Sequence, residues 1–536
     1  MKILFTFLFI VPFLFIQCSQ KKSTVVNTQR DTTITQTNAF SELFLDSTRL
    51  ERFITEQKPG DSASNLLRNF YNSRNYQFAW FTKDGLAEQA RAFWNLHNNY
   101  INFSKDSALI DKRLHQQMEL LTNEDTIINP TGDAIIQTEL QLTEHFFEYA
   151  QYAYAGKVNP EELQWHIPRK KVDVAVLLDS LVAGKGKDID NWEPVNHQYK
   201  LLKKELTRYY QIQKAGGWNE IFLGKKGKYK QGDSAYAIKE VKQRLQALGD
   251  YAENDSSERF VKAFKSAVQQ AQKRFGFKQD GVINAALVKE LNVPDEDRIE
   301  QLLINMERMR WLPANPAGNR LVANIPEFKL HVFEDAKKVF DMDIVVGKAG
   351  NSTVVFNDML KYVVFSPYWN IPRSIVRNEI LPGMQRNTNY LASKNMEQTG
   401  YSNGLPVIRQ NPGGANALGK VKLIFPNSYN IYFHDTPSKS LFNRKIRAFS
   451  HGCIRLAEPT KMAEYLLRNQ PEWTSDKISE AMNASQEKWV TLKEPVPVFI
   501  SYFTAWVDSE GLLNFRDDIY GHDKKMNELL FLNNNM

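Results

Sequence analysis

Cysteine is almost missing from this chain: Cys18 and Cys453 are the only two in 536 residues. Exported chains normally pair their cysteines or dispense with them, so a thiol kept without a partner needs a chemical reason. One cysteine with the nearby histidines also lacks a clear fourth ligand at customary zinc spacing, and no metal or cofactor is implied. Charge of one sign is scarce as well. The net charge of +7 is small for the length and forms no long tract, which gives no case for nucleic acid. No internal repeat is evident. What is present is ordinary globular composition, with 42% hydrophobic and 24% charged residues, enough for large cores in about three to four domains. Aromatic residues, at 12%, are on the rich side and build cores as often as carbohydrate or peptide grooves.

Long apolar runs are limited to one, Ile3 to Ile16, interrupted by Thr6 and Pro12. It is short for a bilayer span and suits the apolar region of an export signal. A cysteine directly after it resembles a lipoprotein processing site, with residues 1–18 as the signal segment and Cys18 as the lipidated first mature residue. Gln17 stands where a small residue is usual, which leaves ordinary cleavage and an uncleaved anchor open. The polar stretch 19–39 reads as a disordered tether. About twenty flexible residues reach roughly 25 Å, enough to stand an enzyme off a membrane.

The fold class expected is a multidomain α+β chain. Residues 40–222 read as mainly helical. Within them Gln137–Ala155 places Leu142, Phe146, Tyr149 and Ala153 on one helical face and stops at Gly156. The aromatic cluster Phe70-Tyr71 and Tyr76–Phe81 predicts core, and His97, His115 and His145 are isolated structural histidines. A lysine-rich linker, Gly224–Gly232, precedes a three-helix unit at 231–293 carrying Ile238, Val241, Leu245 and Leu248, then Phe264, Ala267, Val268 and Ala271, then Leu287 and Leu291. From about 318 to 520 the pattern turns to β. Phe328, Leu330 and Val332 alternate, as do Phe340, Met342, Ile344 and Val346, around a turn at Glu334-Asp335. Further strands are expected at Leu360–Trp369, Val421–Phe425, Tyr429–His434, Val496–Ile500 and around Trp506–Leu513. An insertion at about 372–419, with a short helix at Ser374–Ile380, is long enough to act as a lid.

Chemistry concentrates near the end of that region. On a strand Tyr429–His434 the apolar side chains Tyr429, Ile431 and Phe433 share the core face, which turns Tyr432 and His434 toward the other, open side. Nineteen positions after His434 comes Cys453, in the run Ser450-His451-Gly452-Cys453-Ile454-Arg455, followed by a helix starting at Pro459. A thiol attacks as thiolate, so it needs an imidazole or a cationic field beside it. Gly452 permits a strained turn whose amides can face an oxyanion. Residue types alone leave a catalytic thiol and an inert cysteine beside a histidine equally open.

The spacing His434-x15-Ser450-His451-Gly452-Cys453 resembles the signature of the YkuD-type L,D-transpeptidases. The likeness continues through Asn416-Ala417-Leu418-Gly419, Phe425-Pro426-Asn427, Asp435-Thr436-Pro437, Asn305–Trp311 and Pro367–Pro372, as in the larger YcbB-type members with scaffold and peptidoglycan-binding-like domains. Arg455 is usual in that subfamily. Ala271 and Phe275 replace the Phe and His common in the binding-domain pattern, which puts autonomous glycan binding by the small unit in doubt and leaves a spacer or docking role.

The resemblance implies an enzyme in which Cys453 is the nucleophile and His434 the general base, oriented by the carbonyl of Asp435. Amides around His451, Gly452 and Cys453 would form the oxyanion hole. Ser450 and Arg455 would shape the site, Tyr432 would contact substrate, and Trp369 and Asn370 would line the donor groove or, for Trp369, the core. The partners implied are donor and acceptor peptidoglycan stem peptides, joined by 3→3 cross-links through a thioester. The location implied is the periplasm-facing envelope, with an N-terminal lipid anchor. An L,D-carboxypeptidase and a non-enzymatic wall-binding lipoprotein are the competing readings.

Overall fold

A computed structural model describes residues 28–122 and 132–531, apart from 315, 317 and 336. The export segment, Cys18 and the start of the tether lie outside the described residues. No helix among the described residues is long and apolar enough to cross a membrane. The chain divides into two compact units, the first reaching to Ala92 and adding Lys112–Phe147 and Ala175–Lys187. Phe93–Asp111, Glu148–Val174 and everything from Asp188 onward form the second. The helical region expected at 40–222 is therefore shared between them.

In the first unit, helices Ser47–Gln57 and Asp61–Ser73 bury Leu50, Phe53, Leu67, Phe70 and Tyr71. The expected aromatic cluster is core, and it is organised by a buried carboxylate. Glu139 accepts the amides of Ala79 at 2.6 Å and Trp80 at 3.0 Å, and the Tyr71 hydroxyl at 3.0 Å. Burial pushes this carboxyl up to about 7. Residues 28–39, expected to be disordered, instead run along helix Asp61–Ser73. The Thr28 amide donates to Asn69 Oδ1, the Asp31 amide to Asn72 O, and Asn75 Nδ2 to Ile34 O. Short Asn, Asp and Thr side chains supply local hydrogen bonds that hold an apolar-poor segment in place.

The second unit is α+β, as expected. From Glu148 it takes up the last turn of helix Asp133–Ala150, which runs into a π-turn, Gln151–Ala155, and ends at Gly156, with Tyr149 and Ala153 buried. Helix Asp295–Arg310 carries three acids in its first turn and Arg308 and Arg310 in its last, matching its dipole. Its Asn305–Trp311 motif is an internal strut. Asn305 Nδ2 donates to Thr504 Oγ1 at 2.8 Å, Arg308 pairs with Asp523 at 2.6 Å, and Glu307 accepts the Val158 amide at 2.8 Å. The three-helix unit forms from Tyr236–Ala247, Lys262–Arg274 and Ala285–Leu291. It docks on the C-terminal hairpin Ala505–Val507/Leu513–Phe515. Arg274 Nε donates to Leu513 O, and Phe275 stacks on Phe515 with centroids 6.3 Å apart. That contact is a physical use for Phe275 where the binding-domain pattern has another residue.

Nine strands build the main sheet: β1 (Arg320–Asn324), β2 (Lys329–Glu334), β3 (Lys337–Gly347), β4 (Phe356–Phe365), β5 (Val421–Ile424), β6 (Phe433–His434), β7 (Ala448–Ser450), β8 (Ile454–Leu456) and β9 (Lys488–Ser501). Their order is β7-β3-β8-β6-β5-β4-β9-β1-β2, and β2 also pairs with β3, so the ladder closes on itself around an apolar interior. The expected hairpin is β2–β3, turning at Asp335. Strand β6 is shorter than the alternation predicts. Asn427 Oδ1 accepts the amides of Tyr429 and Ile431, and Asn430 takes a left-handed φ of 56°, so the chain turns before it pairs. The faces are nonetheless as expected, with Ile431 and Phe433 in the core.

The insertion at 372–419 is more than a loop. It contains a helical run through Arg373–Ile375, Val376–Ile380 and Leu381–Arg386, and its strands Met396–Ser402 and Leu405–Gln410 make a three-stranded sheet with Trp369–Asn370, just before it. Ile371, Ile375, Val376, Ile380 and Ile408 form a core of its own, separate from the main one.

Candidate active site

Register determines which side chains meet. Strand β5 pairs Lys422 with His434, and β8 pairs Arg455 with His434. Directly paired residues share a face of the sheet, so Lys422, His434 and Arg455 form one row. The Ile454 amide donates to Tyr432 O at 3.2 Å, which puts Cys453 level with Tyr432 in the next row on that face. Leu423, Phe433 and Ile454 fill the opposite, core face. The sheet thus brings Tyr432, His434, Cys453 and Arg455 together, as the sequence suggested, and adds Lys422, which it did not.

His434 differs from expectation in one respect: it is buried, at 4% exposure, rather than open. Its paired neighbours on β5 and β8, Lys422 and Arg455, set their charges beside it. Its Nδ1 lies 2.5 Å from the carbonyl of Asp435. A carbonyl can only accept, so Nδ1 carries the proton and Nε2 is left as an acceptor. Burial, then the Arg455 charge, push the imidazole down to about 3, with Lys422 adding to the fall. Asp435 is itself held. Its carboxylate accepts the Thr436 amide at 2.7 Å, Lys439 Nζ at 2.7 Å and the Lys420 amide at 2.9 Å. Gly419, at φ 62°, lies so close to this carboxylate that a Cβ there would strike it. The Asn416–Gly419 motif therefore serves the histidine through Asp435.

Cys453 is the only free cysteine among the described residues and is half-buried. Its Sγ lies 3.5 Å from Asn430 O, and no Cys453–His434 hydrogen bond is formed. Burial pushes the thiol up, against the hydroxyl and amide of Tyr432 and the charges of Lys422 and Arg455, which pull it down. Both partners of the pair are thus neutral at neutral pH.

The turn before Cys453 is tightly specified. Gly452 has φ 114°, a region that side-chain-bearing residues rarely adopt. Ser450 Oγ donates to Cys453 O at 2.5 Å and accepts the Gly452 amide at 3.2 Å. Buried Thr353 donates from Oγ1 to Gly452 O at 2.8 Å and accepts the Gly347 amide at 2.9 Å. Nothing in a loop threonine marks this role in sequence. Thr353→Val keeps the shape and removes both bonds, so it is expected to cost about 1–3 kcal/mol and to change the alkylation rate of Cys453. Urea denaturation and iodoacetamide labelling check the two effects.

Other expected residues fall nearby or elsewhere. His451 is half exposed, with Nε2 3.8 Å from Glu379 of the insertion. Trp369 packs against the insertion's core, and Asn370 is exposed on its edge strand.

Residues 318–497 match the L,D-transpeptidase catalytic domain (YkuD), 234–291 a peptidoglycan binding domain, and 65–206 the scaffold domain. The C-terminal domain accordingly belongs to the YkuD family, combined in one chain with the other two domains. A Haemophilus influenzae protein named "Putative L,D-transpeptidase" is 30% identical over 243 residues, covering 42% of this chain and 49% of that protein. The chain thus spans about half the length of the curated relative it matches. Among solved structures, an L,D-transpeptidase from Mycobacterium smegmatis is 14% identical with TM-score 0.20, covering 34% of this chain and 59% of that one. One from Stackebrandtia nassauensis is 15% identical with TM-score 0.21, covering 51% and 94%.

Proposed function

We propose that this protein is an L,D-transpeptidase that forms 3→3 peptidoglycan cross-links through a thioester on Cys453. The observation that carries the reading is the shared face of Cys453 and His434 in a YkuD domain, with Nδ1 of the histidine fixed on Asp435 O and Nε2 bare. His434 takes the thiol proton as Sγ attacks the carbonyl of the third stem residue, a diamino acid. The Gly452 amide is turned onto Ser450 Oγ, which leaves the amides of His451 and Cys453 to receive the oxyanion. The imidazolium returns its proton to the leaving amine of D-alanine, and the C–N bond breaks to leave the thioester. A side-chain amine of a second stem then attacks, its proton passes to His434, and the C–S bond breaks as His434 returns that proton to Sγ. The bond energy comes from the donor peptide, so no nucleotide is consumed. Tyr432, against the sulfur, contacts the donor. Such a substrate suits the periplasmic side of the cell envelope, and the apolar run before Cys18 supports that cysteine as a lipid anchor.

Incubating the full chain with disaccharide-tetrapeptides tests the reading. Cross-linked dimers with release of D-alanine are expected. Tripeptide alone would make the protein an L,D-carboxypeptidase, and neither product would reject acyl transfer. The insertion acts in this scheme as a lid that positions the donor. Deleting 389–403 removes strand Met396–Ser402, uncovers Ile408, and is expected to lower dimer formation at least about tenfold. Unchanged dimer yield would remove the lid from the mechanism.

A further inference from the structure

Two cations on the cysteine-bearing face have no assigned work. Lys422 and Arg455 flank His434, one on each neighbouring strand, with backbones about 5 Å away by ordinary strand spacing. Lys422 Nζ sits 3.9 Å from the centroid of the Tyr432 ring. Arg455 Nε is buried without a hydrogen-bond partner. Neither cation is within ion-pair distance of a carboxylate among the described residues: Lys422 feels Glu487 only at a distance, Arg455 is acted on by no carboxylate, and each gives up hydration where it stands. Burying part of a charge without a counter-charge in contact is unfavourable, and sites that do so commonly await an anion.

The chemistry at His434 says where such an anion would lie. The histidine must protonate the amine that departs, so the leaving residue sits over the imidazole. Its carboxylate is separated from that amine by a single carbon, and therefore falls within the Lys422–His434–Arg455 row. We infer that Lys422 and Arg455 form a binding site for the terminal carboxylate of the donor stem and select donors that end in a free acid at the fourth residue. The assignment rests on the acyl-transfer reading above. It also has a catalytic consequence. Both cations hold the imidazole's proton affinity down, and a carboxylate set between them offsets their field, so the base strengthens when the correct donor is bound.

The test compares two donors on the full-length protein: the tetrapeptide stem and the same peptide with a C-terminal carboxamide. The rate of acyl-adduct formation on Cys453 is followed by intact-protein mass spectrometry. The wild type is expected to prefer the acid by roughly 10- to 100-fold, through both kcat and KM. Lys422→Met is expected to lose most of that preference, slowing the acid donor roughly tenfold more than the amide. Equal rates for acid and amide in the wild type would overturn the assignment without any variant. So would equal slowing of both donors in Lys422→Met, which would place the lysine's effect on the sulfur instead. Absence of an adduct from either donor would overturn the acyl-enzyme reading, and this assignment with it.

Discussion

Cys453→Ala is expected to abolish the acyl adduct and lower cross-linking by three orders of magnitude or more, roughly the loss seen when a covalent nucleophile is removed. No other described cysteine can substitute. The fold should be indifferent to the change, because Sγ is half-buried and its hydrogen bonds, to Asn430 O at 3.5 Å and with Tyr432, are those of a weak sulfur donor and acceptor. Stability within about 0.5 kcal/mol of wild type is therefore expected by urea denaturation. The same thiol carries a pH signature. Burial outweighs the nearby cations and raises it, so iodoacetamide labelling should climb with pH past the ordinary thiol range. A labelling plateau at neutral pH would mean a thiolate–imidazolium pair instead.

His434→Ala is expected to lower acylation by about 10²- to 10⁴-fold, the usual worth of a positioned general base. Unlike Cys453, this residue is fully enclosed, so the variant also leaves Asp435 O without its donor and should lose about 1–3 kcal/mol. The pH dependence separates the two effects. The folded imidazole is depressed to about 3 against an ordinary 6.5, so between those values the unfolded state binds more protons than the native one. This contribution to stability is whole above pH 6.5 and is lost as pH falls toward 3. The acid limb of kcat/KM for the free enzyme should likewise lie well below 6. A limb centred at 6.5 would show that His434 titrates as an exposed histidine and does not act as described.

Much of this was legible in sequence because it rests on local periodicity. The β2–β3 hairpin, the three helices of 231–293 and the helix from Pro459 each write their buried face at a period of 2 or 3.6. The Cys453 motif is local too, since Gly452 and Ser450 shape its turn within four residues. What escaped depends on chain segments that meet only in three dimensions. His434 is paired with Lys422 and Arg455, which stand 12 and 21 positions from it, and it is buried, of which an alternating strand gave no sign. Lys422 looks like any lysine between two apolar residues. Thr353 reaches Gly452 across 99 positions from a loop without pattern. The insertion's sheet was missed because Met396–Ser402 is largely exposed and reads as polar loop.

That insertion has a thermodynamic identity of its own. Its five-residue aliphatic core is too small to stabilise a free domain, yet it is not continuous with the core of the main sheet. Such a segment can melt and re-form as a unit at a fraction of the global unfolding free energy, with the nine-stranded ladder left intact. In the lid role proposed above, access to the thiol would follow that local folding equilibrium, and a wall polymer that docks on the ordered form would draw it toward closure by mass action.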